Sequence, residues 1–233
     1  MRNPEPLGTE FKSVSEAVTG AMMALEITRS KDDHTPEKYD DIVPKLGLST
    51  KVSRRLAEPR MKAHTNTARR AIFLGGSWFG NVPIVVNMKN KLNAHFIGVV
   101  KTGHKRYPKK WIETTMQDWP SGTHIVLESQ DIDGQTVIAM GYKYNTRNTI
   151  FFISSKGAAH TMPGIPYSAE FIRSTDAHPV VRKVPRPYLA SLYFESNNCI
   201  DKHNHARQYV LAVEKAWVTQ DGYFRIFSTI LGM

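Results

Sequence analysis

The apolar positions of this chain change their spacing several times, and each change marks an element. Residues 71–74 (Ala-Ile-Phe-Leu) are a short continuous apolar run, which reads as a buried strand. Gly75-Gly76 ends it with residues that tolerate close approach and unusual dihedrals. A helix is expected over 82–94, with Asn81 placed to cap it and Pro83 comfortable in its first turn. Residues 95–101 (His-Phe-Ile-Gly-Val-Val-Lys) read as a second strand. Strand, helix and strand over about thirty residues make a βαβ unit, which demands a parallel pair and a right-handed crossover. Ligands in such sheets sit at the carboxyl ends of the strands, here 75–78 and 101 onward.

The rest of the chain is arranged around that unit. Residues 3–12 start extended, because Pro4 and Pro6 disfavour helix in the residues before them. A strand is read over 8–18, a turn at Thr19-Gly20 and a returning strand over 21–28. Residues 29–39 are polar, contain Pro36 and read as a loop. Residues 48–57 are helical, with Leu48, Val52 and Leu56 recurring at i+4; Ser49 is a candidate cap and Pro59 is expected to end the helix. A short helix over 109–116 should turn Trp111, Ile112 and Thr115 inward.

Residues 122–154 read as an all-β block, with strands at 123–129, 136–144 and 149–154. Its first turn carries Asp133-Gly134 between two apolar runs, a strong hairpin signal. Asp131 and Asp133 have the look of a metal pair, but turn chemistry accounts for both. Residues 157–186 read as a long connection holding His160 and His178, with no legible function. A helix follows over 187–197 and another opens at 198. Val210, Val213, Ala216, Trp217, Phe224, Phe227, Ile230 and Leu231 then continue a helical apolar stripe, which is core packing.

Charge adds a partner class. The 233 residues, 41% hydrophobic and 22% charged, suffice for one substantial core. Thirty-one Lys+Arg against 21 Asp+Glu give +10, which favours polyanions, nucleic acid before acidic membrane. Two stretches concentrate it. Residues 51–70 hold seven basic residues against Glu58, as a footprint or as a solvated helix face. Residues 101–111 hold Lys101, Lys105, Arg106, Lys109 and Lys110 beside His104, Tyr107 and Trp111. The cations can neutralise phosphates and the rings can stack on bases; the alternative is a solvated loop. The lone Cys199 excludes an internal disulfide and any Cys-based zinc cluster, and suits a reducing compartment. Neither a signal peptide nor an apolar run of about twenty residues is visible, so a soluble intracellular chain is expected.

One resemblance joins these pieces. Gly-Ser-Trp-Phe-Gly-Asn-Val-Pro (76–83), the helix after it and Phe-Ile-Gly-Val-Val-Lys-Thr (96–102) resemble the catalytic domain of piggyBac-type transposases. Ile200-Asp201-Lys202-His203-Asn204 resembles the motif that opens that family's closing helix, and residues 4–12 resemble the lead into its second strand. The resemblance implies a ribonuclease-H-like α/β fold, a mixed sheet flanked by helices with a β-strand insertion. The corresponding division is 1–121, an insertion at 122–156, and 157–233 closing the same domain.

In that family three carboxylates hold two Mg²⁺ ions at a DNA phosphate. Asp201 matches the third acid, and Gly76 stands where the second would be. The first is carried on a strand upstream of residues 4–12, so that strand is expected to be missing here. Asp201, Asn204, His205 and Gln208 share a helical face. Asp201 with its neighbouring histidines is a weaker candidate for zinc. The expected function is an inactive or shortened remnant of a cut-and-paste transposase, binding no metal. The alternatives are a domesticated DNA-binding protein and a nuclease with a reassigned acid such as Glu10 or Glu26. The expected partner is DNA, contacted through Lys101, Lys105, Arg106, Lys109 and Lys110; a homodimer is a second expectation, a membrane is not, and the compartment is the nucleus.

Overall fold

Pairing along the chain begins with a hairpin. A computed structural model describes residues 11–27, 46–63, 70–101, 103–104, 106–130, 134–158, 162–171 and 180–205. Strands β1 (Phe11–Ser15) and β2 (Met22–Ile27) pair antiparallel as a sheet of their own. Gly20 supplies the positive φ of the turn, and the Glu16 carboxylate accepts hydrogen bonds from Thr19 N–H, the Thr19 hydroxyl and Val18 N–H. Those bonds hold the Glu16 carboxyl below its ordinary value, the Thr19 N–H bond most of all.

Helix α1 (Leu48–Ala63) buries Val52, Leu56 and Ala57. Its Arg55 clamps Glu26 of β2 through Nε (3.0 Å) and Nη2 (2.6 Å). Two expectations are corrected here. Pro59 lies inside the helix rather than ending it. A proline costs one donor and crowds the carbonyl four residues back, but the buried face at 50–57 keeps the helix on course. Ser49 does not cap the helix; its hydroxyl accepts a hydrogen bond from Asn81 Nδ2 at 3.0 Å, and the Gly47 carbonyl receives the Thr50 and Lys51 N–H groups.

The βαβ unit is β3 (Ile72–Gly75), α2 (Val82–Leu92) and β4 (His95–Val99), with the two strands parallel. Asn81 caps α2 by accepting from Ile84 N–H at 3.0 Å. Asn93 closes it in the left-handed region (φ 49°), donating its N–H to the Lys89 carbonyl. Helix α3 (Lys109–Thr115) leads into β5 (His124–Gln130), β6 (Thr136–Lys143) and β7 (Thr149–Ser155). Antiparallel pairing of β7 with β4 joins all five strands into one sheet of order β3-β4-β7-β6-β5. The all-β block therefore extends the sheet of the βαβ unit. Among the described residues β3 has no partner on its outer edge.

A three-residue 3₁₀ turn (Lys156–Ala158) follows, and the stretch read as a plain connection also holds a hairpin of β8 (Tyr167–Phe171) and β9 (Val180–Val184). Pattern reading misses β9 because it has no apolar-in, polar-out alternation: Val181 is exposed and Val184 buried. Helices α4 (Tyr188–Ser196) and α5 (Asn198–His205) end the described part.

Alternation along the strands builds a core on each face of the sheet. Phe96, Val137, Phe151 and Ile153 meet Ile84 and Val85 of α2 and Ile112 of α3. Ile97, Met140, Tyr142 and Phe152 meet Leu189, Ala190 and Tyr193 of α4. The result is a mixed sheet flanked by helices, the α/β class expected. The loop at 29–39, Asp131, Asp133, His160, His178 and the stripe at 210–231 lie outside the described residues.

Candidate functional site

The carboxyl ends of β3 and β4 meet where the sequence places the site. The Gly76 carbonyl accepts from Phe79 N–H at 3.0 Å, which folds 76–79 into a turn. Gly76 is exposed, and a Cβ built on it would meet nothing within 4 Å. Gly80 is the opposite case. A Cβ there would strike the Val99 carbonyl, so only glycine lets this loop lie on the end of β4. Trp78, 39% exposed, packs edge-on against Phe79, with Lys12 Nζ of β1 over its ring at 4.1 Å.

The basic segment leaves β4 at the same end. Lys101, Arg106 and Lys110 are exposed. Lys109 is used internally, donating to the Lys101 carbonyl at 2.7 Å and lying over the Phe151 ring. Lys105 lies outside the described residues. The two rings exchange the roles expected of them. Tyr107 is buried; its hydroxyl lies 3.0 Å from the Phe152 carbonyl and 3.2 Å from that of Met140, and donates to them. Burial pushes that phenol far above its ordinary value. Trp111, expected inward, is 52% exposed, while Ile112 beside it is fully buried. The reason is geometric: a seven-residue helix has one inward stripe, and the close approach of Gly141 on β6 draws Ile112 and Met116 into it.

Asp201 is exposed, in the first turn of α5. It lies near enough to Tyr193 to add to the burial that raises that phenol. Cys199, two residues earlier, is buried and donates its S–H to the Ala17 carbonyl beyond β1 at 3.2 Å. The side chains of 203–205 and all of Gln208 lie outside the described residues. Among the described residues no group of three or more His, Cys, Asp or Glu side chains gathers that could hold a metal ion. Glu26, a candidate reassigned acid, is the carboxylate held by Arg55; Glu10 lies outside the described residues.

A family model described as Transposase IS4 matches residues 1–233, the whole chain. The chain belongs to that transposase family. No curated protein matches it. The five-stranded mixed sheet with helices on both faces accords with the ribonuclease-H-like fold of transposases. No described helix of this transposase-family chain is long and apolar enough to cross a membrane.

The far end of the sheet holds a feature that residue spacing did not reveal. A cavity of about 210 Å³ opens at the amino ends of β3 and β4, lined by Arg70, Lys89, His95, Thr136, Ser155 and Lys156 among others. Its cations come from separate elements, so no local run announces them. The usable signal was the βαβ geometry itself, which sets the residues leading into β3 beside the last turn of α2.

Proposed function

We propose that this chain is a transposase domain of the piggyBac type that holds DNA at the carboxyl ends of β3 and β4 without cutting it. Gly76 carries the reading: it occupies the place of an acid in the resembling family, and it offers no side-chain oxygen. Among the described residues the donors do not fit a two-metal centre. Asp201 is a single exposed carboxylate, and hard divalent cations take several oxygens each.

Support for DNA as partner comes from the exposed Lys101, Arg106 and Lys110 beside the exposed Trp111. The amino terminus of α2 points its partial positive charge to the same end. The piggyBac-type reading with a DNA partner carries the nucleus as its proposed compartment.

The test is duplex binding across a salt series. Changing Lys101, Arg106 and Lys110 together to Gln should flatten the slope of log K against log salt by roughly 2.7, about 0.9 per phosphate contact. An unchanged slope moves the footprint to residues 51–70. Incubation of the unmodified chain with transposon-end DNA and Mg²⁺ or Mn²⁺ should leave the strands intact. Metal-dependent cutting that disappears in Asp201→Ala would overturn the inactive reading.

A further inference from the structure

We propose that the cavity at the amino ends of β3 and β4 is a binding site for a phosphate group, separate from the carboxyl-end surface. Residue 95 opens β4 and residue 101 lies two places beyond its end; six steps of extended chain span about 20 Å, so one small group cannot touch both. The lining combines Arg70, Lys89 and Lys156 with hydroxyls of Thr136 and Ser155 and the imidazole of His95. Tetrahedral oxyanions want this donor set: charged N–H groups around hydroxyls. At about 210 Å³ the cavity is below the roughly 300–1,000 Å³ of drug-sized pockets, which suits a small anion.

Two of the lining groups are built in. Ser155 Oγ accepts from Phe96 N–H at 3.2 Å and lies 3.0 Å from His95 Nδ1, which fixes both groups at the cavity wall. Gly157 packs so closely on the His95 ring that a Cβ there would collide with it.

Charge favours an occupant. Among the described residues no carboxylate lines the cavity. Lys89 is partly covered, and the loss of water and then the neighbouring Arg70 charge both lower its proton affinity. Two like charges brought together cost stability that an anion between them returns. Two terms oppose this. Glu128 shares Lys156 at 3.1 Å, and the carboxyl end of α2 carries about half a negative charge. Arg70 and Lys89 outweigh them.

The phosphate can be inorganic or part of a nucleic-acid backbone, and two arms separate these sources. In the first, the full chain is melted against inorganic phosphate at constant ionic strength, with NaCl as balance. The expected result is a saturable rise in Tm, on the order of 5–10 °C at a hundredfold excess over Kd. It should be lost in Arg70→Gln/Lys89→Met and kept in Arg182→Gln/Lys183→Gln, which removes the same charge from exposed positions on β9. In the second arm, duplex binding by Arg70→Gln/Lys89→Met should show a salt slope reduced by roughly 1.8 if the group is a backbone phosphate.

Loss of the phosphate response or a reduced salt slope, in the cavity variant and not in the β9 variant, supports the site. Phosphate stabilisation equal in both double variants, or no response in either arm, overturns it. The unliganded cavity variant should melt no lower than the unmodified chain, since it relieves a repulsion, so misfolding will not imitate the result. Lys156→Gln, with an intermediate loss, provides a second check.

Discussion

The two ends of β4 both gather positive charge, and they do so in opposite ways. At the carboxyl end Lys101, Arg106 and Lys110 stand exposed on one continuous segment anchored by the buried Tyr107. At the amino end Arg70, Lys89 and Lys156 come from three separated segments and surround a cavity. Helix α2 divides them, its amino terminus facing the first end and its carboxyl terminus the second. Its dipole thus assists anions at one end and opposes them at the other. The two proposed modes of anion recognition differ accordingly. The strip at the carboxyl end would act through a field that salt screens, whereas the set at the amino end, where Lys89 is half-buried and Arg70 and Lys156 are exposed, would act through contacts to one small anion.

The largest effect should follow from breaking the carboxyl end at its tightest point. In Gly80→Ala the new methyl meets the Val99 carbonyl, which belongs to the backbone of β4 and cannot swing away. Overpacking of this kind costs about 3 kcal/mol, which lowers Tm by roughly 6–12 °C in a chain of this size. Thermal melting checks it. A melt unchanged from the parent would mean that the loop does not lie on β4, and the geometry of this end would have to be redrawn. Phosphate binding at the far end, measured below the transition, should survive.

A smaller effect separates the anchor of the basic segment from its contact surface. Tyr107→Phe removes the hydroxyl that donates to the Met140 and Phe152 carbonyls, a loss of about 1.5 kcal/mol. Its DNA affinity should hold, because the ring is buried and never reaches a base. Trp111→Ala should do the reverse: stability within about 0.5 kcal/mol, and affinity for single-stranded DNA down about tenfold, the worth of one stacked base. If Tyr107→Phe weakens binding at unchanged stability, the roles of the two rings have been exchanged wrongly.

The sequence was most readable where one element explains itself. The βαβ unit, the Asn81 cap and the meander of β5 to β7 follow from apolar runs, cap chemistry and turn residues, all of which are local. Tyr107 and Trp111 were misread because the sequence shows two aromatics in a basic run but not which one faces Phe152. Only the packing of α3 on Gly141 decides that, from thirty residues away. Pro59 was misread for a related reason, since its local preference yields to the buried face of α1. The cavity was illegible for the strongest form of the same reason. Arg70, Lys89 and His95 meet within the βαβ unit, but Ser155 and Lys156 join them only once β7 pairs with β4, and that pairing spans more than fifty residues.

The smallest expected effect is at Gly76, four residues from the site of the largest. Glycine is required where the backbone takes positive φ or where another chain comes too close, and Gly76 meets neither condition. A Cβ added there meets open space, so the rest of an aspartate can extend into solvent. Its charge would lie before the amino terminus of α2 and at the same end as Lys101, both favourable to an anion. Gly76→Asp should therefore melt within about 2 °C of the parent, the range of exposed substitutions that disturb no packing. Circular-dichroism melts of Gly76→Asp and Gly80→Ala in one buffer make the contrast direct. Such a result would mean that the fold does not demand glycine at 76, and that an acid there is compatible with the same backbone. A loss at Gly76→Asp as large as that at Gly80→Ala would instead make Gly76 a structural glycine, and its failure to carry an acid would say nothing about catalysis.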